Sequence, residues 1–338
     1  MKLEKGLYGL RQGARLFHQK FRKDLLAWGF RASTADPCLF IKHRNGSVFR
    51  ILLFVDDMAL MSDSTDDGRS MRDDLLKRVA NKYKFSTQPD DNVYLGMAVD
   101  RIDETTVFLN QTRYIGDVLR KYGFDGGRST YTPSAGQPVR VDDCWMDAAE
   151  SEWVDKYKDK FVECGGKMVP VEAPPRPKSN VKDNPFGRRY RELCGVLRWI
   201  EQCTRPDISA ALSELCKVQI NPGPKHMKMM EHMMRYLHTT KDAGLLYGGT
   251  GDGRYPDGPL VGYVDSDWAG DKESFYTRGG YNFMAWSGVV SWSSYMIKSV
   301  AASSCEAEYM SAAQAVRELM WLRYCFSDLG HGALCPVT

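Results

Sequence analysis

An α+β fold is predicted by three observations: apolar residues recur at helical spacing in several windows, apolar β-rich runs flank turn residues, and those runs fall into two separate clusters. Phe17, Phe21, Leu25 and Trp28 share a helical face before Gly29, so residues 14 to 28 read as an amphipathic helix with a glycine stop. Cys38 to Lys42 and Val48 to Val55 are strand candidates around Asn45-Gly46, a hairpin dipeptide. ILLFV and MALM, separated by Asp56-Asp57, imply a second hairpin. A helix over 66–84, strands over 93–102 and 106–110, and a helix over 113–121 follow. Two more helices are predicted over 188–218 and 224–238. Past the breaker cluster Tyr247 to Pro259, strands are predicted over 260–264, 280–286 and 289–293, then one long helix from Cys305 to Leu329.

Composition narrows the class of protein. At 338 residues, 43% hydrophobic and 26% charged, most of the chain can bury a core, and the length suggests about two domains. A net charge of +3 creates no global field, yet residues 1 to 60 hold eleven Lys and Arg against five acids, a local excess of six. Between Asp142 and Glu163 the sign reverses, and VEAPPRPKSNVKDNP follows with four prolines, so 134–186 is expected to be a partly disordered connector or insertion. No window reaches the roughly 18 to 20 apolar residues of a membrane span, and the start lacks the apolar core of a signal peptide. A soluble intracellular protein is expected. Nine cysteines without a CxxC pair suggest neither a disulfide framework nor a zinc site.

Two groups of carboxylates stand out. Asp56 and Asp57 interrupt apolar strands; an exposed Asp-Asp turn and a rigid pair of hard oxygen ligands for Mg²⁺ both fit the spacing. Asp265 and Asp267, two apart on a strand, face one side, either as a solvated edge or toward a metal. Glu306 and Glu308 open the long helix, where the dipole alone favours acids. His226, His232 and His238 recur every six residues and cannot share a helical face, so they are not read as metal ligands. HMKMMEHMMRYL reads as core packing. Arg188, Arg189, Arg191, Arg198 and Arg205 fit either phosphate contact or solvated helix charge.

The blocks LYGLRQGARLFHQKF, GFRASTADPCLFIK, ILLFVDDMAL and YLGMAVDR resemble, in order and spacing, the reverse transcriptase of copia-type LTR retrotransposons. TRPDIS, RYLHTTKDAGLLY, GYVDSDWAGD and SWSSYMIKSVAASSCEAEYMSAAQAVRELMWLR resemble the connection and ribonuclease H regions of the same polyprotein. The resemblance implies reverse transcriptase palm and thumb over 1–133, a helical connection over 187–258, and an incomplete ribonuclease H-like domain over 259–338, with the connector or insertion over 134–186 outside it. It implies metal binding and catalysis by Asp56 and Asp57, nucleotide contact at Gln12 and Gly13, and primer support at Tyr94, Leu95 and Gly96. For the second domain it implies metal binding and catalysis by Asp265 and Glu308, with Asp267 and Glu306 next as metal ligands. Phe54 replaces the commoner Tyr before the acidic turn.

Implied cofactors are Mg²⁺, with Mn²⁺ as the alternative; implied partners are RNA template, DNA primer, RNA·DNA hybrid and the remaining Pol segments, without a membrane. The implied location is cytoplasmic, in virus-like particles, with the nucleus as the alternative. Two family carboxylates have no counterpart here: an aspartate upstream of LYGLRQG, and a third ribonuclease H acid after the long helix, for which Asp328 at the helix end is no substitute. The expectation is therefore a crippled or inactive Pol fragment. A non-catalytic nucleic-acid-binding remnant or domesticated pseudoenzyme is the alternative.

Overall fold

The computed structural model describes residues 12–55, 57–84, 92–157, 161–164, 167–170, 177–248, 260–271 and 273–332, with backbone only at 161–164 and 167–170. The fold is mixed α and β, as expected. Its contacts divide into two compact units: Met1–Leu95 with Gly258–Leu260 and Val316–Thr338, and Gly96–Asp257 with Val261–Ala315.

In the first unit, Gly13–Ala27 (α1) buries Phe21 and Leu25 and gives way to Gly29 at φ 86°. Arg31–Ala32 (β1), Leu39–Arg44 (β2), Ser47–Phe54 (β3) and Asp57–Ser62 (β4) form an antiparallel sheet in that order. Asn45 and Gly46, at φ 48° and 83°, supply the two left-handed residues that a tight hairpin needs. Alternate residues of β3 (Ser47, Phe49, Ile51, Leu53) are buried. Asp66–Lys82 (α2) starts at Thr65, whose hydroxyl accepts the Gly68 N–H at 3.0 Å, and buries Met71, Leu75 and Val79, four residues apart. These faces close over one core with Phe30 and Phe40.

Beneath it, Asp24 is bonded by Tyr83 and by Lys82 Nζ at 2.5 Å. Burial would raise its carboxyl, but these bonds win and hold it below the usual value. Asp328 ends the long helix Ser304–Asp328, and accepts from Ser33 Oγ at 2.7 Å, Thr34 N at 2.8 Å and Arg31 Nη1 at 2.9 Å. Against the pull of burial, those donors keep it well below the ordinary carboxylate range.

The strand expected over 93–102 is interrupted. Val93–Tyr94 (β5) and Met97–Arg101 (β6) flank Leu95 and Gly96, both at positive φ, 53° and 77°, which extended backbone cannot include. In the second unit, β6 pairs with Val107–Asn110 (β7), and β7 pairs with Gly244–Tyr247 (β10), a strand that local pattern did not announce. Thr112–Tyr122 (α3) ends at Gly123, φ 77°. The stretch expected as partly disordered holds Ala148–Tyr157 (α4) and an antiparallel pair, Phe161–Cys164 (β8) and Lys167–Pro170 (β9). Asp147 accepts from Glu150 N at 2.9 Å and Trp153 is buried, so α4 has both a start signal and an apolar anchor despite its acids.

The helix expected over 188–218 is broken by Pro206. Gly187–Cys203 (α5) ends there, Arg205 takes the non-helical backbone typical before proline, and a 3₁₀ turn leads into Ser209–Leu215 (α6). Arg205, left open as a phosphate contact or solvated charge, is neither: it is 1% exposed. Its Nε and Nη2 reach the two oxygens of Asp207 at 2.9 and 2.7 Å, and Nη1 and Nη2 reach Thr240 O and Oγ1 at 2.9 and 2.6 Å. The Tyr236 ring lies 5.5 Å away, and its hydroxyl donates to Asp207 at 2.8 Å.

Thr240 follows Pro224–Thr239 (α7), whose Met227, Met229, Met230, Met233 and Met234 fill the helical core, as the methionine pattern implied. Buried His226 accepts from Gly223 N through Nδ1 at 3.0 Å and donates through Nε2 to Arg140 O at 2.8 Å, a neutral, structural imidazole.

Val261–Asp267 (β11), Thr277–Ala285 (β12) and Gly288–Ile297 (β13) form an antiparallel sheet with β12 central. The long helix, α8, starts against it, with Ala307, Ser311 and Ala315 buried at four-residue intervals. No helix among the described residues is long and apolar enough to cross a membrane, and none of their cysteines is paired.

Replacing Arg205 with Ala removes the guanidinium bonded to Asp207 and Thr240, and because Asp207 keeps access to water the loss should be about 2–3 kcal/mol in urea unfolding. Burial lowers His226 below 6.5, so on acidification the unfolded chain takes up the proton first. Its contribution is full above about pH 6.5 and declines as pH falls below that value. Melting temperatures between pH 7 and 5 should fall more steeply for the parent chain than for His226→Gln.

Candidate functional site

The first acidic turn is built by strand pairing. Phe54 stands opposite Asp57 across β3 and β4, which pair antiparallel. The expected hairpin is thus present, with Asp57 opening β4 and exposed; Asp56 lies outside the described residues. Val55 adopts φ 54°, a left-handed conformation that a β-branched residue resists. Strain of this kind persists only where the surrounding ladder enforces it. Phe54 and Val55 are about half exposed, at 51% and 42%, so an apolar rim stands beside the acid.

Tyr94 comes close enough to feel the same turn. Burial, then the charges of Asp57, Cys38 and Asp36, push its phenol above the usual value. Its hydroxyl is buried with no hydrogen-bond partner among the described residues, an orphaned donor beside a carboxylate-bearing turn. Gln12 and Gly13 open α1, Gln12 exposed, while the block before them lies outside the described residues. Leu95 and Gly96 are the two turn residues after Tyr94.

The second group sits on the β11 sheet. Asp265 faces Gly280 and Asp267 faces Arg278 across β12, so the two carboxylates share one side of the sheet. That side forms a pocket of about 380 Å³ with Tyr263, Asn282, Trp292, Pro206 and Ser209 along its lining. Arg278 is bonded to Glu214 and, at 2.9 Å, to Ser213 Oγ; Glu214 pairs with Lys217 at 2.7 Å, and Lys217 with Asp271 at 3.1 Å.

The first turns of α8 reach β11 from the opposite side. Ser266 Oγ donates to Glu308 Oε1 at 2.7 Å, and Ser311 Oγ to Asp265 O at 3.0 Å. Glu306 accepts from Ala302 N at 2.6 Å, capping the approach to the helix. The long helix therefore crosses at β11, but strand alternation points Ser266 toward Glu308 and turns Asp265 and Asp267 away. Among the described residues, no three His, Cys, Asp or Glu gather to hold a metal. Asp265 and Asp267 fit a divalent cation as hard oxygen donors of the kind Mg²⁺ takes one or two at a time, completed by water or phosphate.

Residues 1–136 match the family model described as reverse transcriptase (RNA-dependent DNA polymerase). The chain is 30% identical over 332 residues, 97% of its length, to the retrovirus-related Pol polyprotein from transposon TNT 1-94 of Nicotiana tabacum, covering 22% of that protein. With the corresponding polyprotein from transposon RE1 of Arabidopsis thaliana it shares 29% over 332 residues, covering 19%. Nearly the whole chain is thus similar to one segment of copia-type retrotransposon Pol polyproteins. It spans about a fifth of the length of these relatives. It also matches, at 22% identity over 318 residues, 88% of the putative transposon Ty5-1 protein YCL074W of Saccharomyces cerevisiae. No solved structure matches the chain at a significant level.

Sequence reasoning missed Ser266, Ser311 and Arg278. The signal for Ser266 was present: a residue between two same-facing aspartates must face the other way. Gly279-Gly280 was the signal for close approach, since a Cβ on Gly279 would stand 2.8 Å from Ser311 Oγ. Relief of the turn strain is measurable: Val55→Asn, which tolerates left-handed backbone, should raise stability by about 1 kcal/mol in denaturant titration, whereas Val55→Ile should not.

Proposed function

We propose that this chain is the part of a Pol polyprotein that engages RNA template, DNA primer and their hybrid. The associated reactions are Mg²⁺-dependent nucleotidyl transfer at the FVDD turn and RNA hydrolysis at the β11 sheet. The observation that carries the reading is the β3–β4 hairpin, which presents Asp57 at a strained, half-apolar turn next to the orphaned Tyr94 hydroxyl. In this reading Asp56 and Asp57 hold the cation, Gln12 and Gly13 meet the incoming nucleotide, and Tyr94, Leu95 and Gly96 support the primer end. Mg²⁺, when bound, would neutralise phosphate charge and activate an oxygen nucleophile.

At the second site Asp265 and Asp267 would hold the cation, with Glu306 and Glu308 on the helix that supports the strand. Because Glu308 bonds to Ser266 on the face opposite Asp265, we infer that these residues by themselves hydrolyse hybrid poorly. That geometry also favours the second reading, a nucleic-acid-binding remnant without turnover.

Hybrid binding should weaken steeply with salt, as released counterions require, and RNA cleavage in Mg²⁺ should be slight. Binding insensitive to salt would overturn the nucleic-acid reading. Brisk hybrid-dependent cleavage lost in Asp265→Asn would show a complete site and overturn the claim of poor turnover.

A further inference from the structure

We propose that the groove between the C-terminal end of α3 and the first turns of α5 binds the phosphodiester backbone of a nucleic acid, with Lys121, Arg188 and Arg189 as its contacts. The inference rests on the reading of the chain as one that engages RNA and DNA, and it assigns that engagement to a definite surface outside both acidic sites. The groove encloses about 400 Å³ and is lined by Lys121, Tyr122, Pro185, Arg188, Arg189 and Glu192. Three cations thus meet one carboxylate.

That carboxylate does little to quench them. Arg188 Nε lies 3.1 Å from Glu192 Oε1, but the arginine side chain is 91% exposed, and an exposed pair of this kind is weak and screened. Arg189 is held differently. Its Nη2 donates to Tyr122 O at 3.1 Å, which ties the guanidinium to the end of α3 while using one of its five donors. Lys121 Nζ sits 5.2 Å from the centre of the Tyr122 ring, so the ring steadies a third positive charge at the same edge.

The position of the arginines is the second argument. Arg188 and Arg189 are the second and third residues of α5, where the helix dipole already contributes positive potential and cations are disfavoured. No acid lies in that first turn to compensate. Stability alone would place Asp or Glu there. A run of cations added to the positive end of a helix suits a polyanion, and planar guanidinium groups match phosphate oxygens two at a time.

The test measures binding of a short fluorescein-labelled RNA·DNA hybrid to the full chain by anisotropy across a salt series. Arg188→Gln and Arg189→Gln should each reduce the slope of log affinity against log salt by about 0.9, the value for one lost phosphate contact. Arg188→Lys should keep the slope. Arg72→Gln, on the exposed face of α2, should leave it unchanged. Hybrid binding with parent slopes in both groove variants would overturn the groove and leave the wider reading standing; a parent chain that binds no hybrid would overturn both. Competition by polyglutamate as effective as by unlabelled hybrid would overturn the choice of nucleic acid in favour of an acidic polypeptide.

Discussion

A guanidinium that cannot lose its proton and cannot reach water must find a partner for nearly every N–H, and Arg205 imposes that demand on the helical half of the chain. Asp207 satisfies it from two residues away, which requires the backbone to leave the helix between Thr204 and Pro206. Thr240 satisfies it from the end of α7, and Tyr236 closes the set by covering the guanidinium and bonding to Asp207. The break that Pro206 makes after α5 is therefore tied to the end of α7 by one charge. β10 leaves directly from that fixed point and reaches β7, and Thr204 Oγ1 bonds to buried Gln111 at 2.8 Å, just before α3 begins. A buried guanidinium left with unpaired N–H groups is costly, so the network selects one arrangement of these helices over others.

The acidic sheet obeys a different constraint, closeness. Gly279 is what lets α8 lie against β11 and β12, because any side chain there would strike Ser311 or the Tyr295 ring. The small residues Ala307, Ser311 and Ala315 complete the approach from the helix side. Only at that distance can Ser311 bond the main chain of Asp265 and Ser266 bond Glu308. The same closeness commits Glu308 to one face of the strand, while the chain of charges from Arg278 through Glu214 and Lys217 to Asp271 holds the other face around Asp267. Support of the acidic strand and assembly of a shared carboxylate site are thus separate demands, and the fold meets the first.

Much was legible in the sequence, because local rules operate undisturbed where one face is buried. The Phe17, Phe21, Leu25 spacing gave α1, Asn45-Gly46 gave the β2–β3 hairpin, and the apolar runs around Asp56-Asp57 gave β3 and β4, since period-2 and period-3.6 burial need no distant information. The methionine helix and the long α8 were legible for the same reason. Positive-φ residues were less so: Gly96 was visible, but Leu95 beside it was not, and the strand expected through both was split. Acids and prolines signalled disorder between 134 and 186, and Trp153 with the Asp147 cap outweighed them over α4.

What the sequence by itself determined was therefore the kinds of element, the positions of the two acidic groups and, through its ordered motifs, the family. Tertiary structure decided three things that local pattern cannot carry. It made Arg205 a buried strut, because its partner Thr240 is 35 residues away. It paired β10 with β7 across the whole helical segment, because a four-residue run has no preferred partner until the helices between are packed. It set Glu308 on the Ser266 side of β11, because the side from which a helix meets a sheet follows from which residues are small enough to be approached, and that is a property of two surfaces together.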